Sequence, residues 1–303
     1  MPGPPDSSSP FDLGNDDAYR AWRARKLASI PAGIDELRVR VRDLADPSEE
    51  EIHALRNCCR RTNWAIFRAD TAHDIQPAHV KTFAARLGLQ RLDRNPCAEE
   101  TGVTALTTRE QAGRRYIPYT NRPLSWHTDG YYNESTRQIR SWVLFCVQDA
   151  AEGGGNSILD HELVYLKLRD RDPALVAALM ADDAMTIPAN EMDGDPIRPD
   201  QTGPVFSVDP SGNLHMRYTA RKRNIQWKNH PATRTAAATI EALLSDATAP
   251  ICHYRLQPGE GIVSNNVLHR REGFSDDPDG ARKRLLYRAR YYDRVADTGV
   301  RKR

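Results

Sequence analysis

An imidazole and a carboxylate two residues apart, His127 and Asp129, stand in the run Ser125-Trp126-His127-Thr128-Asp129-Gly130-Tyr131-Tyr132. Pro118 and Pro123 argue against a helix ahead of them, so the stretch from Arg115 to Leu124 reads as extended. Side chains at i and i+2 of a strand point to one side, so His127 and Asp129 would converge with Thr128 turned away. They make two members of a facial triad, the two-His-one-carboxylate set that holds non-haem Fe(II) and leaves coordination positions open. His269, at the end of Asn265-Asn266-Val267-Leu268-His269, offers the third ligand from far downstream. His-x-Asp alone arises often by chance, and its weight comes from its companions.

The first companion is Arg284-Leu285-Leu286-Tyr287-Arg288-Ala289-Arg290-Tyr291-Tyr292. In a strand Arg284, Arg288 and Arg290 share a face with Leu286, while Leu285, Tyr287, Ala289 and Tyr291 form an apolar face. If the apolar face packs on helices, the arginines line an interior, where each needs an anionic partner. Aspartate or glutamate on a neighbouring strand would serve, and so would a dicarboxylate gripped by the planar guanidinium. The second companion is a hydroxyl, Ser157, after the glycine turn Gly153-Gly154-Gly155. Tyr116, Tyr119, Asn121, Trp126, Tyr131 and Tyr132 crowd the metal motif. Arg217, Tyr218, Arg221 and Arg223 cluster further on, and for Arg221-Lys222-Arg223 a solvated turn is favoured. Asp160-His161-Glu162 reads as a helix start capped by Asp160, not as a ligand set.

These residues need strands to hold them. Leu37 to Asp43 alternates as an edge strand, and Trp64 to Phe67 reads as a buried one. Thr101 to Thr108 and Tyr116 to Trp126 bring the chain to His127. Ser141 to Gln148 is a continuous apolar run, as in a strand covered on both faces. Pro204–Asp209 and Leu214–Tyr218 form a hairpin, Cys252–Leu256 a strand, Ile262–Leu268 the strand delivering His269, and Arg284–Asp293 the last. Helices are expected over Asp16–Ser29, after the capping box of Ser48 and Glu51, over Pro77–Leu87, from His161 to about Ala184, and over Pro231–Ser245. Asn190 to Gly203, rich in Pro, Asp and Gly, is expected to be a mobile loop over the site. The fold class is mainly β with flanking helices: a disordered tail over 1–15, then one domain over 16–303 with a helical insertion around 161–203.

Composition narrows the function. The 43 Lys+Arg against 41 Asp+Glu make a net charge of +2, too balanced to argue for nucleic acid. The 5 cysteines are odd in number and lack a Cys-x-x-Cys pair, which fits reduced thiols in the cytoplasm. Neither a signal peptide nor an apolar run of membrane-spanning length is visible. A homo-oligomer is compatible with the sequence.

Taken together, the motifs resemble the taurine dioxygenase-like (TauD/TfdA) branch of Fe(II)/2-oxoglutarate oxygenases, which includes γ-butyrobetaine hydroxylase. Trp126-His127-Thr128-Asp129 is similar to its Trp-His-x-Asp, and Gly154-Gly155-Asn156-Ser157 to its Gly-Gly-x-Thr. Asn266 to Phe274 resembles its second histidine segment, and Arg284 to Arg288 its closing arginine strand. The resemblance covers roughly Asn63 to Asp293. It implies a double-stranded β-helix (jelly-roll) core with Fe(II) on His127, Asp129 and His269. It implies 2-oxoglutarate chelating the iron, its far carboxylate paired with Arg284 and hydrogen-bonded by Ser157, with Arg288 the alternative arginine. O2 would then be consumed with release of succinate and CO2, and a C–H bond of a small anionic or zwitterionic metabolite hydroxylated. Retention of Asp129 favours hydroxylation over halogenation. The competing readings are a non-catalytic ligand-binding barrel and a nucleic-acid-directed oxygenase.

Overall fold

The computed structural model describes residues 9–70, 75–93, 102–108, 117–192 and 195–300. Ten strands make its two main sheets: β1 (Arg38–Val41), β2 (Trp64–Ala69), β3 (Thr104–Leu106), β4 (Leu124–His127), β5 (Ser141–Gln148), β6 (Asn156–Leu159), β7 (Cys252–Tyr254), β8 (Glu260–Ser264), β9 (Leu268–Arg271) and β10 (Leu285–Tyr291). The larger sheet runs β1-β2-β8-β5-β10-β3 and the smaller β7-β6-β9-β4. Only the β1–β2 pair of the larger sheet is parallel. Six α-helices flank them: α1 (Asp16–Ala28), α2 (Glu49–Thr62), α3 (Pro77–Arg86), α4 (His161–Arg171), α5 (Pro173–Met180) and α6 (Pro231–Ser245).

Local chemistry sets most helix starts. Ser48 and Glu51 form the reciprocal capping box of α2, and Pro77, Pro173 and Pro231 occupy the first turns of α3, α5 and α6. Asp160 caps α4, its Oδ1 accepting from Glu162 N at 2.9 Å. β5 lies between β8 and β10, and helices cover its outer face, so its unbroken apolar run is what burial requires. On that face Phe67 packs against Phe83 of α3 and Phe145 of β5, at ring separations of 4.5 and 6.2 Å. The opposite face carries Trp142, Leu144, Arg288 and Arg290, since Arg288 is opposite Leu144 and Arg290 opposite Trp142. The arginine face therefore lies inside, as the alternation predicts.

Several expectations change. Of the expected disordered tail, residues 9–15 pack on the fold, where Phe11 buries its ring against Trp22 and Tyr165 at 5.1 and 5.3 Å; residues 1–8 lie outside the described residues. Residues 117–119 form a short 3-10 turn around Pro118, and the strand starts only at Leu124; Thr101, Arg115 and Tyr116 lie outside the described residues. The insertion is helical through Met180 and then turns to short strands. The expected loop of 190–203 holds a hairpin, Asn190–Met192 with Asp195–Arg198, and a third strand, Gln201–Gly203, paired with Met185–Ile187. Pro196 lies at a register shift within its strand and Gly203 ends the third strand, placements that composition alone cannot separate from a loop.

The strand expected from Ile262 to Leu268 is two strands on different sheets. It breaks at Asn265-Asn266, where Asn266 adopts φ 57. Asn265 anchors the crossing by accepting from Val295 N and donating to Thr298 Oγ1, both at 3.1 Å. This break carries the chain from the large sheet to the small one and points His269 between them.

Candidate metal centre

His127 ends β4 and His269 sits directly opposite on β9, with ring centroids 4.3 Å apart. Each Nδ1 lies against a backbone carbonyl two residues back: Ser125 O at 2.8 Å for His127 and Val267 O at 2.9 Å for His269. Such a bond takes the Nδ1 proton and leaves the Nε2 lone pair free for a metal. Burial first, and the neighbouring His127 second, push the His269 imidazole down to about 4, so it is neutral at pH 7.

Asp129 is not on the strand with His127; the strand stops first. Thr128 is turned away as expected, its Oγ1 accepting from Tyr218 N at 3.1 Å. Asp129 is placed by Asn266, whose Oδ1 accepts from Asp129 N at 2.8 Å. The Nδ2 of Asn266 donates to Asp129 O at 2.9 Å and Ile139 O at 2.7 Å. Gly130, at φ 67, closes the turn where a Cβ would lie 2.5 Å from the Ile139 side chain.

The donor atoms of His127, Asp129 and His269 all lie within 4.8 Å of one another. Asp129 Oδ1 is 3.6 Å from His127 Nε2 and 3.9 Å from His269 Nε2, while its buried Oδ2 has no hydrogen-bond partner among the described residues. Burial alone would raise this carboxyl. Arg288, 3.8 Å away, together with His127, Arg290 and His269, outweighs burial and holds it well below its ordinary value. An ionised carboxylate with an orphaned oxygen beside two imidazole lone pairs fits a divalent cation of the facial-triad class. Asn266 holds two of these elements together. We expect Asn266→Ala to keep all three ligands yet weaken Fe(II) binding by about 10- to 100-fold, as loss of an outer partner does. Equilibrium iron titration against a chelator measures it.

The arginines divide by role. Arg290 ion-pairs with Asp93 and donates to Tyr132 OH at 3.0 Å, so its charge is paired internally. Arg288 faces the metal set through Asp129. Arg284, 4% exposed, makes no ion pair among the described residues, and its guanidinium lies 4.8 Å from the Phe274 ring. Burial pushes it down to about 10, leaving it charged at neutral pH. Arg271 was not singled out from the sequence. It is buried beside Arg284, spends its bonds on the carbonyls of Thr120 and Arg122, and is pushed down to about 9 by burial and then by Arg284. Neither guanidinium is ion-paired among the described residues, and Asp149, which also lines the cavity beside Arg284, is taken by Arg255 and Arg282, so the pair can cradle an anion.

Arg284 lines a small cavity with Cys146, Gly153, Gly154, Asn156 and Leu286. The glycine turn is demanded here, since a Cβ on Gly153 would sit 2.3 Å from Gly273 O. Ser157 is not among the residues lining the cavity. Its hydroxyl is 2.9 Å from His253 Nδ1 and 3.1 Å from Arg270 Nε, on the other side of β6. The strand alternation turns Asn156 and Ile158 inward and Ser157 and Leu159 outward, so the inward polar residue is Asn156. The three successive glycines allowed either register in sequence.

The remaining candidates are structural or peripheral. Arg217 is buried and donates to the carbonyls of Met185, Gln201, Gly203 and Pro204. Arg282 is half-exposed and tied to Asp149 at 2.8 Å. Lys222 and Arg223 sit on an exposed short turn, as expected. Asp160 and Glu162 hold the buried Lys26 at 2.5 and 2.6 Å, which excludes a ligand role. Tyr131 lies 6.4 Å from the His127 ring and accepts from Asn224 Nδ2 at 3.0 Å.

Residues 24–290 match the family described as "Taurine catabolism dioxygenase TauD, TfdA family". The chain belongs to this family. A curated relative of this TauD/TfdA chain, uridine-5'-phosphate dioxygenase of an Amycolatopsis species, is 30% identical over 175 residues, covering 55% of this chain and 60% of the relative. The match thus spans less than two thirds of that protein. An asparagine oxygenase structure with Fe(II), 3-hydroxyasparagine and succinate superposes with a TM-score of 0.57 at 16% identity, covering 84% of this chain and 93% of the other. A taurine dioxygenase from Burkholderia xenovorans gives 0.55 at 19%, covering 82% and 84%. At these identities the solved structures establish a shared fold. Among the described residues of this TauD/TfdA protein, no helix is long and apolar enough to cross a membrane.

Proposed function

We propose that this protein is an Fe(II)- and 2-oxoglutarate-dependent dioxygenase that hydroxylates a small anionic metabolite, built on a double-stranded β-helix (jelly-roll) core. The observation that carries the reading is the pairing of two features: a three-ligand metal set with an orphaned carboxylate oxygen, and a buried arginine without an anion. His127, Asp129 and His269 would hold the iron. The iron's role, once bound, is to couple O2 to decarboxylation of 2-oxoglutarate, giving succinate, CO2 and an oxidant for a substrate C–H bond. Arg284 receives the far carboxylate of the cosubstrate, with Arg271 adding positive potential. Asn156 supplies the side-chain amide that the family resemblance had assigned to the hydroxyl of Ser157. Arg288 balances the Asp129 charge and presents its remaining donors to the site. Tyr131 and Tyr132 stack edge to face at 5.2 Å on the substrate side, with the guanidinium of Arg198 5.6 Å from the Tyr132 ring. That surface suits an anionic substrate with a planar part.

The test is succinate release with Fe(II), 2-oxoglutarate and O2, first with uridine 5'-phosphate because of the curated relatives, then across anionic and zwitterionic metabolites. No succinate above the iron-free control with any of them, nor uncoupled without substrate, would reject the enzyme reading in favour of a ligand-binding barrel. Salt-insensitive failure to bind DNA or RNA is expected.

The β6 assignment makes its own prediction. Asn156→Ala should raise the Michaelis constant for 2-oxoglutarate by about 10- to 100-fold, the worth of a hydrogen bond to a charged group. Ser157→Ala should change it by less than about threefold. Steady-state kinetics on both variants decide it, and the reverse order would turn β6 over.

A further inference from the structure

A cleft of about 1700 Å³ opens between α1, α2 and the segment after β10, and none of the metal ligands, Arg284 or Arg288 lines it. Its walls include Arg25, Arg60, Arg91, Arg140 and Arg294. Three of the acidic residues among them are ion-paired, and the fourth, Asp209, is held by its own turn. Glu162 holds Lys26 at 2.6 Å, and Asp293 holds Arg91 at 2.6 Å. Asp297 pairs with Arg56 at 3.2 Å, and Asp209 accepts from Ser211 N and Asn213 N at 2.9 Å within its own turn. Arg140 stands out. Its guanidinium makes no hydrogen bond or ion pair among the described residues, and its Nη1 is buried without a partner. The Nε of Arg294 is likewise buried and unpartnered, while its Nη2 reaches the side chain of Asn63 and Thr298 O. Burial lowers the Arg140 guanidinium from its ordinary range; Asp209 opposes this, and Arg294 and Arg91 add like-charge repulsion. A half-buried guanidinium whose buried Nη1 lacks a partner, with Asp209 on one side and Arg294 and Arg91 as like charges, has donors left for an added anion. Hydroxyls of Ser135, Thr136 and Ser211 also line the space.

We propose that this cleft is a second binding site, separate from the metal centre, for a small molecule bearing a phosphate group. A tetrahedral dianion accepts from guanidiniums and hydroxyls arriving from several directions, whereas a planar carboxylate is matched by one fork. Arg140 and Arg294 supply the buried unpartnered nitrogens, and Arg25 and Arg60 also line the cleft.

The test is thermal denaturation of the full-length, iron-loaded protein with inorganic phosphate at constant ionic strength, with chloride and citrate as comparison anions. Phosphate should raise Tm saturably and chloride should not. Arg140→Gln should weaken the apparent phosphate affinity about tenfold or more, the worth of a charge-assisted contact, while Arg284→Gln leaves it unchanged. Should Arg140→Gln fold poorly by circular dichroism, Arg25→Glu at an exposed position is expected to give the same loss. Equal phosphate affinity in the cleft variants and the parent, or loss of it in Arg284→Gln, would overturn the site. A larger shift with citrate than with phosphate would overturn the phosphate assignment.

Discussion

Asp129→Ala and His269→Ala are each expected to lose iron and turnover together while the chain stays folded. Each change leaves two ligands of three, and the loss should exceed the ~10- to 100-fold that outer-sphere substitutions cost in metal affinity. Turnover should fall to the level of the iron-free protein. The fold should persist because the centre of the large core, around Phe67, Phe83 and Phe145, lies on the far face of β5, and only Trp142 of that core stacks near His269, at 4.8 Å. Removing Asp129 also leaves Arg288 without its carboxylate, so some loss of thermal stability is expected in that variant and less in His269→Ala. Bound iron per chain and far-UV circular dichroism measure both halves. Iron retained at parental stoichiometry in either variant would remove that residue from the ligand set.

Arg284→Gln should be the most damaging single change to cosubstrate binding. Leaving a buried carboxylate without its charged partner costs ~2–5 kcal/mol, and each ~1.4 kcal/mol is tenfold in affinity. The Michaelis constant for 2-oxoglutarate should therefore rise at least about 30-fold, with a smaller change in that for substrate. Arg284→Lys keeps the charge but loses the planar fork, and its defect should fall between parent and Gln. Arg288→Lys should disturb 2-oxoglutarate less, because Arg288 faces Asp129 four residues further along β10, about 13 Å at ~3.3 Å per residue. Arg290→Lys should act mainly on stability, since Arg290 serves Asp93 and Tyr132. A larger cosubstrate defect at 288 or 290 than at 284 would move the anchor along the strand.

The sequence by itself determined which residues could do the chemistry and most of the elements. His127, Asp129 and His269 could be named because few residue types bind Fe(II), and their strands carried readable apolar patterns. The capping box at Ser48, the prolines opening α3, α5 and α6, and the period of β5 were legible because each signal is local. Alternation along β10 placed its arginines inside, since the apolar face could only pack outward.

Tertiary structure alone decided what depends on residues distant in sequence. Whether Ser157 or Asn156 faces the cavity turns on one residue of register after three glycines, and only pairing of β6 with β9 sets it. That Asp129 lies beyond its strand follows from Asn266, a partner far downstream that holds the turn from across the site. The order of the segment from Ser9, and the strands within 190–203, come from partners such as Trp22, Tyr165 and Met185–Ile187, which no local pattern announces. Which arginine is satisfied and which is left for a ligand was undecidable from spacing, because pairing with Asp93 or Asp149 depends on where those carboxylates lie in space. Local propensity acts over a few residues, whereas the charge balance of a buried site is set by whatever the folded chain brings within about 4 Å.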